Sequence, residues 1–119
     1  VARSVVPKIA LLAPPRAPGA AVTARYFMPW QCHPAMAVTG GQCIAACLYQ
    51  PGSVAEGIAV PPPENPAVVR IEHPSGELTV TLDYTCADDR LDVRAAGLLR
   101  TARLLARGEV MVPGSIWQE

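Results

Sequence analysis

The residues best suited to chemistry in this chain lie between positions 31 and 47, where a polar, glycine-containing turn leads into small and apolar residues. His33 and Thr39 bring polar side chains, and Gly40 and Gly41 follow directly. The first N–H groups of a helix have no partner within that helix, and they attract carboxylates and other anions. The pattern therefore predicts an anion pocket at a helix start. The alternative is that the two glycines only allow a core helix to pack closely.

His33 precedes a proline, which favours an extended backbone and places the imidazole outside the helix. There it could donate to a substrate oxygen or take part in proton transfer, although a histidine that caps a loop is the simpler alternative. Cys32 is the thiol in the best position to act as a nucleophile. Cys43 and Cys47 are expected to be buried, and Cys86 lies close to aspartates that disfavour a thiolate.

Positions 32, 33, 43 and 47 carry cysteine and histidine, which are the ligand types that zinc uses. Their spacing lacks the closely paired cysteines of structural zinc sites, so no metal site is predicted. Cys43 and Cys47 would share one helix face beside small apolar residues. This arrangement favours reduced, buried thiols over disulfides.

A second polar corner is suggested by His73 and Ser75, which lie in the tetrapeptide His-Pro-Ser-Gly at positions 73–76. A hairpin turn alone explains its proline and glycine, and this alternative stays open. The arginines at positions 94, 100, 103 and 107 are typical of a solvated face. Arg100 is the best candidate among them to reach a carboxylate.

Hydrophobic patterns predict the elements that would position these residues. Pro34 is expected in the first turn of a helix that continues to Tyr49 and is apolar on all sides, as a core helix would be. The clearest predicted strands are 8–13, 22–28, 68–72 and 77–84, the last two forming a hairpin. Residues 91–112 could form an amphipathic helix, but Gly97 disfavours it. Two further strands are predicted there instead, with a break near Arg100 and the second strand over 108–112.

The composition bounds the class of protein. The chain has 119 residues, of which 50% are hydrophobic, so residues 1–119 are predicted to form a single domain. Ten basic and ten acidic side chains cancel, which argues against nucleic acid or an acidic membrane surface as a partner. The first residues lack the apolar run of a signal peptide, and no segment has the length and apolarity of a membrane span. A cytoplasmic location is expected.

Four motifs occur in order along the chain. They are Val6-Pro7-Lys8-Ile9-Ala10 with Ala13-Pro14-Pro15; Cys32-His33-Pro34-Ala35-Met36 leading to Thr39-Gly40; Glu72-His73-Pro74-Ser75-Gly76; and Arg100-Thr101-Ala102-Arg103-Leu104-Leu105 with Gly108-Glu109-Val110 and Val112-Pro113. Together they resemble the C-terminal part of the PrpF family. That family includes 2-methylaconitate cis-trans isomerases, 4-oxalomesaconate tautomerases and methylitaconate isomerases.

The resemblance implies an α+β fold of the diaminopimelate-epimerase type, in which a mostly antiparallel sheet wraps around one central helix. This chain would be one half of such a protein. The resemblance also implies a cofactor-independent isomerase or tautomerase that shifts a proton across an allylic system in an unsaturated di- or tricarboxylate. The expected partners are a small polycarboxylate and a missing N-terminal domain or partner chain, or a second copy of this chain. The substrate-binding residues would be His33, Met36, Thr39, Gly40, Gly41 and Ser75.

The chain also departs from the pattern of these families. Related epimerases carry a catalytic cysteine where this chain has Ala37. The acid-base lysine and cysteine of the PrpF family belong to the N-terminal half, and Lys8 does not correspond to that lysine. His33 and Cys32 are the residues of this chain that could serve in proton transfer. The alternative is a non-catalytic binding or structural domain derived from the same fold.

Overall fold

The structure is a computed structural model that describes residues 6–28 and 30–117. These residues contain one helix and five strands, which confirms the predicted α+β class. No helix in the described part of the chain has the length and apolarity needed to span a membrane. In chain order the elements are β1 (Ile9–Ala13), β2 (Val22–Phe27), α1 (Val38–Cys47), β3 (Ala67–His73), β4 (Gly76–Ala87) and β5 (Arg90–Leu98).

The five strands form one sheet in the order β1-β2-β3-β4-β5. Neighbouring strands are antiparallel except for β2 and β3, which are parallel. A parallel pair needs a crossover connection, and the segment that contains α1 supplies it. The helix therefore returns across the sheet and contacts β3, β4 and β5.

The core lies between α1 and the central strands. Side chains alternate between the two faces of a strand, so every second residue of β2, β3 and β4 points to the helix. The helix contributes Ile44 and Ala45, which are both buried. The largest fully buried side chains come from the sheet and are Val22, Val69, Ile71, Val80 and Leu82.

The predicted helix start at Pro34 is wrong. Ala37 precedes the first helical residue and has an extended backbone, with φ −70° and ψ 140°. The residues before it form a turn in which the Ala35 N–H donates to Nδ1 of His33 at 3.0 Å. A local bond from the backbone to a side chain competes with helix formation, so α1 begins only at Val38.

The prediction that the helix is buried on all sides is also wrong. Thr39 and Cys43 are exposed, Cys47 is half-buried and Val38 is 48% exposed. The described sheet covers one flank of α1 and leaves the other open. An apolar pattern indicates that a surface is covered, but it does not identify the chain that covers it.

The region after β3 differs from the prediction in two ways. Asp88 and Asp89, with φ of 51° and 59°, join β4 to β5 in a second hairpin. Aspartate tolerates this left-handed conformation, and β4 therefore extends beyond its predicted end. The strand predicted over 108–112 is wrong, because the described residues from 99 to 112 run without helix, strand or turn. They have no neighbouring strand with which to pair.

Candidate functional site

The start of α1 has free hydrogen-bond donors. The Gly41 N–H donates to the Ala37 carbonyl at 2.9 Å, which is the first backbone bond of the helix. The N–H groups of Val38, Thr39 and Gly40 precede that bond, and no group in the described part of the chain accepts from them. Ala37 offers no side-chain cap, and the first turn contains no acidic residue. The positive end of the helix dipole is thus left without a negative group from the helix itself.

Gly40 and Gly41 let α1 approach the sheet closely. A Cβ atom at Gly40 would overlap the ring of Tyr26, and a Cβ atom at Gly41 would overlap Cδ2 of Leu78. Both glycines are buried. The close-packing explanation of these glycines is therefore confirmed. It concerns the absence of Cβ atoms and leaves the N–H of Gly40 without an acceptor in the described chain.

His33 lies in the turn before α1, against the end of β2. Its N–H donates to the Tyr26 carbonyl at 2.6 Å, and its Nδ1 accepts the Ala35 N–H at 3.0 Å. A neutral imidazole whose Nδ1 is an acceptor carries its proton on Nε2. In this hydrogen-bonded state the half-buried His33 can donate from Nε2, and that atom is not available as a base.

The β3–β4 hairpin contains a second His-Pro turn with the same local hydrogen bond. The Ser75 N–H donates to Nδ1 of His73 at 3.2 Å. The Ser75 hydroxyl donates to the carbonyl oxygen of Pro34. The predicted hairpin is confirmed by the pairing of His73 with Gly76. The structure thus brings the turn at 73–76 to the segment that leads into α1.

Glu72 holds the loop between β1 and β2 against the same hairpin. Its carboxylate accepts the N–H groups of Arg16 at 2.8 Å and Ala17 at 3.0 Å, and the Thr23 hydroxyl at 2.5 Å. The Thr23 hydrogen bond is the main cause of a lowered pKa for Glu72, and the Arg16 and Ala17 N–H groups and the Arg16 charge add to it. Sequence reasoning missed Glu72, because only the parallel pairing of β2 with β3 places it beside Thr23.

The other candidate residues are divided between the core and the surface. Met36 is 8% exposed, and its side chain belongs to the core. Cys32 is exposed, and its thiol donates to the His33 carbonyl at 3.6 Å. Arg94 pairs with Asp83 at 2.5 Å, whereas Arg100 is exposed beyond β5. Within residues 6–28 and 30–117, no group of three or more His, Cys, Asp or Glu side chains could hold a metal ion.

A groove of about 350 Å³ lies along the open flank of α1, and we call it the helix groove. It reaches Thr39 and Gly40, so part of the helix start is accessible, but His33 and Ser75 do not line it. Lys8 is the one charged side chain among the described residues of its lining. The lining consists of Lys8, Ala10, Leu12, Tyr26, Thr39, Gly40, Cys43, Ile44, Cys47 and Val54.

Comparison with known proteins identifies relatives over nearly the whole chain. The model of the PrpF protein family matches residues 1–113. The (4E)-oxalomesaconate Delta-isomerase of Novosphingobium sp. is 42% identical over 112 residues, which are 94% of this chain and 30% of that protein. The 4-oxalomesaconate tautomerase of Pseudomonas putida is 39% identical over 118 residues, which are 98% of this chain and 31% of that protein. The putative isomerase YbhH of Escherichia coli is 38% identical over 113 residues, or 95% of this chain and 31% of that protein.

A solved structure agrees with the described fold. The crystal structure of a methylitaconate-delta-isomerase superposes with a TM-score of 0.62 over 83% of this chain and 29% of that chain, at 19% identity. At this identity the likeness concerns the fold alone. The chain spans about 30% of the length of the curated relatives that it matches. The family match over residues 1–113 confirms the resemblance carried by the sequence motifs, and this chain belongs to the PrpF family.

Proposed function

We propose that this chain provides the carboxylate-binding half of an isomerase that acts on unsaturated di- or tricarboxylates by an allylic proton shift, without a cofactor. The observation that carries the proposal is the start of α1, where the N–H groups of Val38, Thr39 and Gly40 have no acceptor in the described chain. Two relatives are named as an oxalomesaconate isomerase and an oxalomesaconate tautomerase, which favours an isomerase over a non-catalytic domain.

The chemistry needs donors that are in place before the reaction. An allylic proton shift removes a proton from one carbon and returns a proton to another, and the negative charge spreads onto a carboxylate in between. In the proposal, the N–H groups at the start of α1 bind that carboxylate, and Nε2–H of His33 and the Thr39 hydroxyl add further donors. The close packing of Gly40 against Tyr26 keeps the helix start fixed. Donors that are already oriented stabilise developing charge without reorganisation.

The proposal assigns binding, but not the proton transfers, to this chain. His33 holds its proton on Nε2 while Nδ1 accepts the Ala35 N–H, so it serves as a donor to the substrate. The family resemblance places the acid-base lysine and cysteine in the N-terminal half. The proposal also includes an epimerase-like fold, in which that half completes the covering of α1. The open flank of the helix is consistent with this arrangement.

Calorimetric titration of the chain with trans-aconitate tests the binding. We expect saturable binding that weakens with salt, because salt screens the attraction between an anion and a helix start. Ala37→Asp places a carboxylate at the N-cap, where it accepts the same N–H groups, and should weaken the affinity about tenfold. Ala102→Asp adds the same charge at an exposed position beyond β5 and should leave the affinity unchanged. If the unsubstituted chain shows no saturable binding, the structural-domain alternative is favoured instead.

A further inference from the structure

We infer that a polar cavity on the face of the sheet opposite α1 binds a phosphoryl group, either as free phosphate or as part of a small phosphate monoester. We call it the arginine cavity, and its charged and imidazole lining consists of Arg16, Arg25, Glu72, His73 and Glu77. The inference goes beyond carboxylate binding at the start of α1 and does not depend on it.

The arginine cavity has a volume of about 350 Å³ and lies where the loop after β1 meets the β3–β4 hairpin. Ala24 and Tyr26 of β2 belong to the core beneath α1, so Arg25 between them lies on the opposite face of the sheet. By the same alternation, Ile71 of β3 is in the core and Glu72 lies on the opposite face. Among the described residues, the arginine cavity and the helix groove share no lining residue. The two are therefore separate sites.

The guanidinium groups of Arg16 and Arg25 take part in no ion pair within the part of the chain that the structure describes. Arg25 is half-buried, and its Nη1 donates to the carbonyl of the neighbouring Ala24 at 3.1 Å. The Arg16 side chain is exposed and has no hydrogen-bond acceptor among the described residues. A guanidinium has five N–H donors, so most donors of both side chains are free. Such a pair in one cavity suits an oxyanion, because the guanidinium fork matches the geometry of phosphate.

The carboxylates of the cavity are already engaged. Glu77 accepts Nε and Nη2 of Arg70 at 3.1 and 2.8 Å. Glu72 accepts two backbone N–H groups of the loop after β1 and the Thr23 hydroxyl. The charge of Arg70 offsets that of Glu77, so the two arginines of the cavity face one remaining carboxylate. The cavity thus keeps an excess of positive charge.

His73 adds a third donor to the arginine cavity. Its Nδ1 accepts the Ser75 N–H at 3.2 Å, so the neutral imidazole carries its proton on Nε2. No group in the described residues accepts from that nitrogen. A phosphoryl group offers three acceptor oxygens, whereas a carboxylate offers two. Three donor side chains around one cavity therefore favour a phosphoryl group over a single carboxylate.

Calorimetric titration of the chain with inorganic phosphate tests the inference, with the ionic strength held constant by sodium chloride. We expect saturable binding at one site. Arg25→Gln should weaken it at least about tenfold, because a charge-assisted donor is lost from a half-buried position. Arg16→Gln should weaken it about threefold, since an exposed charge contributes less. Arg103→Gln, at an exposed position beyond β5, is the matched control and should leave the affinity unchanged.

A second titration with glycerol 3-phosphate distinguishes the two sources of the phosphoryl group. Tighter binding than that of inorganic phosphate assigns the arginine cavity to a phosphorylated small molecule, and weaker binding assigns it to the free ion. Both results support the site if Arg25→Gln reduces the affinity. Should Arg25→Gln fail to fold in a urea unfolding test, Arg16→Gln carries the comparison, because its side chain is exposed.

Two results would overturn the inference. One is the absence of saturable binding of both phosphate compounds. The other is binding that Ala37→Asp abolishes and Arg25→Gln leaves intact, which would place phosphate at the start of α1. Arg25→Gln should bind trans-aconitate as the unsubstituted chain does, so failure of the phosphate site and failure of carboxylate binding are separate outcomes.

Discussion

The hydroxyl of Ser75 donates a hydrogen bond to the carbonyl oxygen of Pro34, which lies 41 positions earlier in the chain. This bond joins the β3–β4 hairpin turn to the turn that leads into α1. Each turn has a histidine whose Nδ1 accepts the N–H two residues later. The position of His33 in front of the helix therefore depends on local hydrogen bonds and on one long-range contact.

Removal of the Ser75 hydroxyl tests this contact. Ser75→Ala should weaken binding of trans-aconitate and lower the free energy of unfolding by about 1 kcal/mol, the usual contribution of a hydrogen bond. Ser75→Thr keeps a hydroxyl and should retain most of the affinity for trans-aconitate and most of the free energy of unfolding. Calorimetry and urea unfolding measure them. Unchanged binding in Ser75→Ala would show that the contact does not position the site.

Gly40→Ala should destabilise the protein although alanine is the better helix former. The intrinsic gain is about 1 kcal/mol, whereas overpacking costs about 1–3 kcal/mol. The added Cβ would overlap the ring of Tyr26, which is 7% exposed within the core. Gly97→Ala is the control, because no atom lies within 4 Å of its added Cβ. A higher urea midpoint for Gly40→Ala would contradict the close-packing explanation.

Glu72→Gln should lower stability at neutral pH and have less effect in acid. The pKa of Glu72 is lower in the folded state than the ordinary value of 4.5, so its ionised form favours folding. The contribution is complete above that ordinary value and is lost as the pH falls through the lowered pKa. The free energy of unfolding of the unsubstituted chain and of Glu72→Gln is measured at neutral pH and at about pH 3. Glu109→Gln, at an exposed position, should leave the free energy of unfolding unchanged at both pH values. If Glu72→Gln is destabilised as much at low pH as at neutral pH, the stability loss does not come from the ionised Glu72 carboxylate.

Ala37→Asp should raise stability while it weakens acid binding. An aspartate N-cap satisfies free N–H groups and interacts with the positive end of the helix, and it is worth about 0.5–2 kcal/mol. Thermal unfolding of the variant, compared with Ala102→Asp, measures this gain. Opposite signs for stability and affinity are expected, because both effects depend on the same donors. A variant that gains stability and binds the acid as before would place the acid elsewhere.

Much of the sheet can be predicted from local patterns. β1, β2 and the β3–β4 hairpin follow from short apolar runs, from alternation and from the turn at 73–76. Such patterns report one buried face and are read over a few residues. The existence of α1 is predicted in the same way. Its start is not, because the bond between the Ala35 N–H and His33 has no signature in the apolar pattern.

The contacts that shape the candidate site are long-range, so hydrophobic patterns over a few residues cannot predict them. Thr23 meets Glu72 across 49 positions, and Ser75 meets Pro34 across 41. The exposure of Cys43 and of residues 99–117 was equally inaccessible, since it depends on which polypeptide covers an apolar surface. The motifs around His33 and Ser75 nevertheless identify the family, because the order of several short motifs is more specific than any single contact.

The most direct measurement of the central claim is a titration of the ¹⁵N-labelled chain with trans-aconitate, followed by amide chemical shifts. The account predicts that the largest saturable shifts belong to Val38, Thr39 and Gly40, whose N–H groups have no acceptor in the described chain. It also predicts that these shifts disappear in Ala37→Asp. Absence of saturable shifts at these three amides, or shifts centred elsewhere, would contradict the claim that the start of α1 binds a carboxylate.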